Sequence, residues 1–208
     1  MENATHGRMR GVTIVKPIVY GTVARLLSEK REDGHTHSWT LFLQSLEGED
    51  MPYIHQVEFR LHDSYHTPTR IVTKPPYQVS ETGWGEFEAG VKVIFIDQNE
   101  RPVQFYHPIK LFGEDPDKVP VIYQTYDEFV FIDPSRTLHR GITSTKLTDN
   151  KGYPLEKMDV AAIEKENLVR LEIANSCIAS QIKEISKKLK MTQRGISALK
   201  DKLEFIES

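Results

Sequence analysis

The prolines of this chain stop at residue 154, and the proline-free segment after that point constrains the fold most. All eleven prolines and eleven of the twelve glycines lie in residues 1–158; only Gly195 falls later. In the C-terminal segment Leu168, Leu171, Asn175, Ile178, Ile182, Ile185, Leu189, Thr192, Ile196, Leu199, Leu203 and Ile206 recur at alternating spacings of three and four. These are six consecutive heptads, with ten of the twelve seam positions apolar. An amphipathic helix docked on its own domain would not need so strict a 3.5-residue period, so residues 159–208 are read as a coiled coil. Asn175 falls at an a position, where a buried amide sets register and favours two strands. Nine basic and eight acidic residues from Asp159 onward leave no basic fork for gripping DNA.

The proline- and glycine-bearing part reads as short apolar runs between turn signals. Thr13 to Tyr20 is one run, and Pro17 inside it suggests an edge or irregular strand. Trp39, Leu41 and Leu43 share one face at period two, as do Val57, Phe59 and Leu61. Further runs cover residues 69–73, 77–80, 86–97 and 103–111, with 97–102 as a hairpin connection and 123–134 as a last strand. Seven or eight short strands without a helical period predict a mainly β fold: an immunoglobulin-like antiparallel β-sandwich followed by a C-terminal α-helical coiled coil. The expected boundaries are a sandwich domain over 10–137, a linker over 138–158 and the coiled coil over 159–208. The lone Cys177 excludes an internal disulfide and a cysteine-based zinc framework. A formal charge of −3 argues against general nucleic-acid binding. No apolar run approaches the ~20 residues of a membrane span, and the start lacks the apolar core of a secretory signal. An intracellular protein without direct membrane contact is expected.

Catalytic signals are weak. The chain has no phosphate-cradling glycine loop, no GxSxG and no HExxH. His35 and His37, with His62 and His66, invite a zinc reading but lack an evident further ligand. Ser64 beside His62 lacks an identifiable acidic partner or oxyanion device. No enzyme activity, cofactor or metal is expected. Two aromatic turns stand out instead: Leu61-His-Asp-Ser-Tyr65 and Glu81-Thr-Gly-Trp-Gly85. Glycines around Trp84 allow close backbone approach by a ligand, which favours a binding site over a core cap.

Those turns, with Gly11–Gly21, His35-Thr-His-Ser-Trp39, Thr73-Lys-Pro-Pro-Tyr77 and Glu86-Phe87, resemble the YEATS domain over roughly residues 10–135. The coiled coil after it resembles that of the short class of YEATS proteins. The resemblance implies a reader of acylated lysine (acetyl, crotonyl or succinyl) on histone tails. It also implies a non-catalytic subunit of chromatin-remodelling and histone acetyltransferase complexes, acting in transcription regulation in the nucleus. It makes Tyr65 and Trp84 two aromatic walls of a slot for the flat acyl amide, and His35 a third, where the longer class has Phe. Ser64 would bond the amide N–H, the Trp84 backbone N–H would donate to the acyl carbonyl, and His62 would hold the Ser64 loop. Gly83 and Gly85 would shape the second loop. Pro108 stands where the longer class has an acid that engages a neighbouring arginine, so that contact does not carry over. The competing expectation is a scaffold protein that binds partners through its coiled coil and an open sheet edge at Thr13–Tyr20. The implied partners are acylated histone tails, other complex subunits and a possible second copy of the chain.

Overall fold

A computed structural model describes residues 7–29, 31–113, 120–148 and 160–207. Eight strands are followed by two helices: β1 (Thr13–Leu26), β2 (His37–Ser45), β3 (Ile54–Arg60), β4 (Thr69–Val72), β5 (Tyr77–Gly83), β6 (Phe87–Phe95), β7 (Val103–Ile109), β8 (Val121–Ile132), α1 (Arg136–Thr143) and α2 (Val160–Glu207). Every strand pairing is antiparallel, in two four-stranded sheets of order β5-β2-β1-β8 and β4-β3-β6-β7. The alternating residues meet between the sheets. Trp39, Leu41 and Leu43 from β2 face Val57 and Phe59 from β3 and Val91 and Val93 from β6, all buried. Rings gather at both ends of β6: Tyr53, Phe95, Phe129 and Phe131 at one, Trp39, Tyr65 and Phe87 at the other.

Two expectations need correction. The Thr13–Tyr20 run belongs to an interior strand, not an edge: β1 pairs with β2 on one side and β8 on the other. Pro17 is tolerated because its carbonyl accepts Leu46 N–H at 3.2 Å, on the β2 side and just past the end of that strand. The missing N–H therefore removes nothing from the β1–β8 ladder. The expected linker, in turn, is structured over its first half. Ser135 caps α1 by accepting Leu138 N–H at 3.1 Å, and Leu138 and Ile142 are wholly buried in the sandwich core. Residues 146–148 then pair with the 48–50 loop through Asp50 N–H to Lys146 O and Thr148 N–H to Gly48 O. Residues 149–158 lie outside the described residues.

The chain divides into two compact units, 1–156 and 157–208. In the second, α2 runs for 48 residues without proline. Glu166–Arg170 and Glu184–Lys188 ion pairs, each at i,i+4 with the acid nearer the N-terminus, brace it. Eight apolar seam residues (Leu168, Leu171, Ile178, Ile182, Ile185, Leu189, Ile196 and Leu199) are 51–65% exposed on the single chain. The side chains of Leu203 and Ile206 lie outside the described residues. Among the described residues no helix is long and apolar enough to cross a membrane.

Candidate functional site

Three loops meet at the end of the sandwich where β2 begins and β5 ends. Cross-strand register sets His37 against Gly83, and Thr36 N–H donates to Gly83 O at 3.0 Å. His35 is thereby held beside β5, with Nδ1 2.7 Å from Thr82 Oγ1. From the other sheet, the 61–68 loop leaves β3 and is closed by Leu61 N–H to Pro68 O at 2.7 Å. It carries Tyr65 across the gap between sheets. The Tyr65 hydroxyl accepts Trp39 Nε1–H at 3.3 Å and donates to Thr82 O at 3.2 Å. Its ring stands edge-on to Trp39 and 5.8 Å from Phe87. Burial pushes the Tyr65 phenol up, the Trp39 N–H partly opposing, so the hydroxyl stays a donor at neutral pH.

Ser64 and His62 form a local unit. The backbone N–H of Ser64 donates to His62 Nδ1 at 3.2 Å, and Ser64 Oγ lies 3.0 Å from the same nitrogen. An Nδ1 that accepts a backbone N–H carries no proton, which leaves the hydrogen on Nε2. Ser64 Oγ–H then points at Nδ1, and its oxygen lone pairs remain for a donor from outside. Both side chains are exposed.

Of the two glycines, one has a steric reason. A Cβ at Gly83 would lie 2.8 Å from the Tyr65 hydroxyl, whereas at Gly85 it would meet open space. Trp84, between them, is 69% exposed and so is not a core cap. Glu86 ties this turn to the end of β7: its carboxylate takes the Lys110 ammonium at 2.9 Å and the N–H groups of Leu111 and Phe112 at 2.9 and 3.2 Å. Partial burial works against the Glu86 carboxylate, but these donors outweigh it and hold the group below its ordinary range.

The structure thus brings His35, Gly83 and Tyr65 together around Thr82, sets His62 and Ser64 on the same loop as Tyr65, and leaves Trp84 and Gly85 projecting on the adjoining turn. Thr82, Trp39 and Phe87, which orient these groups, were not expected as site residues, although each lies in one of the motifs that carry the family resemblance. Neither of two concavities takes in Tyr65 or Trp84: one of about 560 Å³ on the outer face of the first sheet borders the site through Trp39 and Thr82, and one of about 340 Å³ lies beside β8. Tyr65 is half-buried and tied to Thr82, two positions before the exposed Trp84. Among the described residues no three His, Cys, Asp or Glu side chains are grouped to hold a metal ion, so His35, His37, His62 and His66 do not converge.

Comparison with known proteins matches the same residues. The chain fits the YEATS family over residues 34–113. It is similar to Protein AF-9 homolog of Eremothecium gossypii, 33% identical over 209 residues, covering 91% of this chain and 97% of that protein. Among solved structures it resembles the Yaf9 YEATS domain bound to H3K27ac, 36% identical, with a TM-score of 0.58 over 66% of this chain and 98% of that one. It also resembles the Yaf9 YEATS domain recognising an H3K122suc peptide, 35% identical, with a TM-score of 0.56 over the same shares. An above-30% relative spanning nearly the whole chain, and a family pattern covering the three loops of this cluster, establish that the chain belongs to the YEATS family.

Proposed function

We propose that the chain reads acylated lysine on histone tails, with acetyl, crotonyl and succinyl as the acyl groups. The observation that carries this reading is Tyr65, locked by hydrogen bonds to Trp39 and Thr82, on a loop that meets the turn bearing the exposed Trp84. Acylation turns the lysine ammonium into a neutral, planar amide. Such a group can lie between aromatic faces, with its N–H on the free lone pair of Ser64 Oγ and its carbonyl toward the Trp84 backbone N–H. A cage for a methylated ammonium would instead surround the cation with aromatic faces; Tyr65 stands edge-on to Trp39. The YEATS structures solved with H3K27ac and H3K122suc support the same ligand class.

His35 forms the third wall and His62 fixes Ser64. The protein acts without catalysis of its own, in the nucleus, as a subunit of chromatin-remodelling and histone acetyltransferase complexes. The family names it matches, AF-9 homolog and transcription initiation factor TFIID subunit 14b, support that setting. Through its exposed seam α2 pairs with a second helix, that of another copy or of another subunit. Titrating acetylated against unmodified histone H3 peptides tests the reading; equal affinity for the two would overturn it.

A further inference from the structure

The strand order leaves the C-terminal part of β8 with an open edge, because among the described residues β8 ends the first sheet and pairs with β1 alone. The register shows which backbone groups face outward there. Pro17 turns its carbonyl toward β2, so Pro17 and its β8 partner Glu128 point their N–H and C=O positions away from each other. Accordingly, Glu128 N–H is taken by the Asp127 side chain at 2.8 Å, whereas Asp133 N–H donates to Val12 O. At period two, Val130 and Ile132 likewise present their backbone groups to the open edge. Their side chains are 52% and 66% exposed, and Val15, in register with Val130, is 44% exposed. Sheet edges are commonly blunted by Lys, Pro or a bulge. Residues 128–132 (Glu-Phe-Val-Phe-Ile) carry neither residue, and no register shift interrupts their pairing with β1.

Beside this edge a cleft of about 340 Å³ is walled by Phe95, Val103, Phe129, Phe131 and Leu138. Its rim is charged at one end of the segment. Arg8 there is paired with Glu100 at 3.0 Å, and Arg101 is exposed with no ion pair among the described residues. At the other end stand Asp127 and Glu128. We propose that this edge docks an extended segment of a partner protein, added to the first sheet as a fifth strand. The free backbone groups select an extended chain. The cleft takes an aliphatic side chain on one face of that strand, and Val15, Val130 and Ile132 cover its other face. An acidic residue of the segment meets Arg101, and a basic one meets Asp127 and Glu128. The strand order sets this edge at the opposite side of the sheet from β5, so docking is independent of the acyl-lysine reading.

The test uses the full chain, isotope-labelled for NMR, and a synthetic strand-forming peptide of alternating Val and Thr with Lys at one end and Glu at the other. Adding it should shift the amides of Val130 and Ile132, and an otherwise equal peptide interrupted by proline should not. Val130→Pro removes only an edge N–H, so the variant should fold, bind acetylated peptide as wild type does, and bind the strand peptide at least tenfold more weakly. Trp84→Ala should leave strand-peptide binding intact. The proposal fails if β8 amides do not respond, or if Val130→Pro makes no difference. It fails too if Val130 and Ile132 amides exchange slowly in the free chain, since another part of this protein would then cover the edge.

Discussion

Gly83 and Gly85 flank the same tryptophan, yet only Gly83 is required by its surroundings. A methyl at Gly83 would displace the Tyr65 hydroxyl from Trp39 and Thr82. Gly83→Ala should therefore weaken acetyl-peptide binding and lower stability by about 1 kcal/mol or more, the scale of a disturbed hydrogen-bonded core position. Gly85→Ala should leave stability within about 0.5 kcal/mol of wild type, as expected of an unencumbered surface position; denaturant midpoints for the pair make the comparison. Trp84→Ala separates binding from folding. A 69% exposed side chain contributes little to the core, so cooperative unfolding should be preserved. Losing a slot wall should cost about 2 kcal/mol of binding, roughly a thirtyfold rise in Kd. Parallel loss of stability and binding would instead make Trp84 a structural residue. Its exposure was readable from the flanking glycines, but the reason for Gly83 was not: Tyr65 reaches it from 18 positions away, across the gap between sheets.

At the scale of the element, β7 contains the least expected burial. His107 is fully enclosed between Tyr20 and Tyr123, and neither ring nitrogen meets a partner at hydrogen-bond geometry. Burial lowers its pKa to about 4, with the Tyr123 backbone opposing in part. The folded state thus holds the ring neutral while the unfolded chain, near the ordinary ~6.5, takes up a proton. Stability is fully present above pH 6.5 and is lost as pH falls toward 4, by up to about 3 kcal/mol from this residue. Urea denaturation of wild type and His107→Phe from pH 7.5 to 4.5 should show a difference that shrinks or reverses on acidification; a constant difference would exclude His107 as the titrating group. Helix α2 makes its own prediction. Eight large apolar side chains at heptad spacing cannot stay in water, so the full chain should sediment as a dimer, and Ile182→Asp should return it to monomer. A wild-type chain that is monomeric over a wide concentration range would leave a different subunit as the partner helix.

For the whole molecule, separation into units at residue 156 implies that residues 1–156 fold alone. That fragment should bind a single acetylated peptide as the full chain does. On a surface dense with such peptides, two slots joined through α2 should hold at least tenfold more tightly than one, through effective concentration alone. Surface plasmon resonance at high and low peptide density measures this, and equal retention of fragment and full chain would rule out bivalency through α2. The division itself was legible in the sequence, since proline ends at 154 and the heptads begin soon after. Both are consequences of local backbone and side-chain periodicity, which a linear chain displays openly. The alternating runs of β2 and β3 were legible for the same reason, as were the loops bearing Tyr65 and Trp84. Strand order was not legible. Pro17 looks like an edge marker, and only the end of β2 at Ser45 shows how an interior strand accommodates it. Helix α1 spans eight residues with Gly141 inside, too short for a helical period to emerge; Leu138 and Ile142 are helical because the open end of the core buries them. Local pattern therefore determined the alternating strands, the long helix and the two aromatic turns. Long-range pairing alone decided which strand is left open, which histidine is enclosed and which glycine has no room for a side chain.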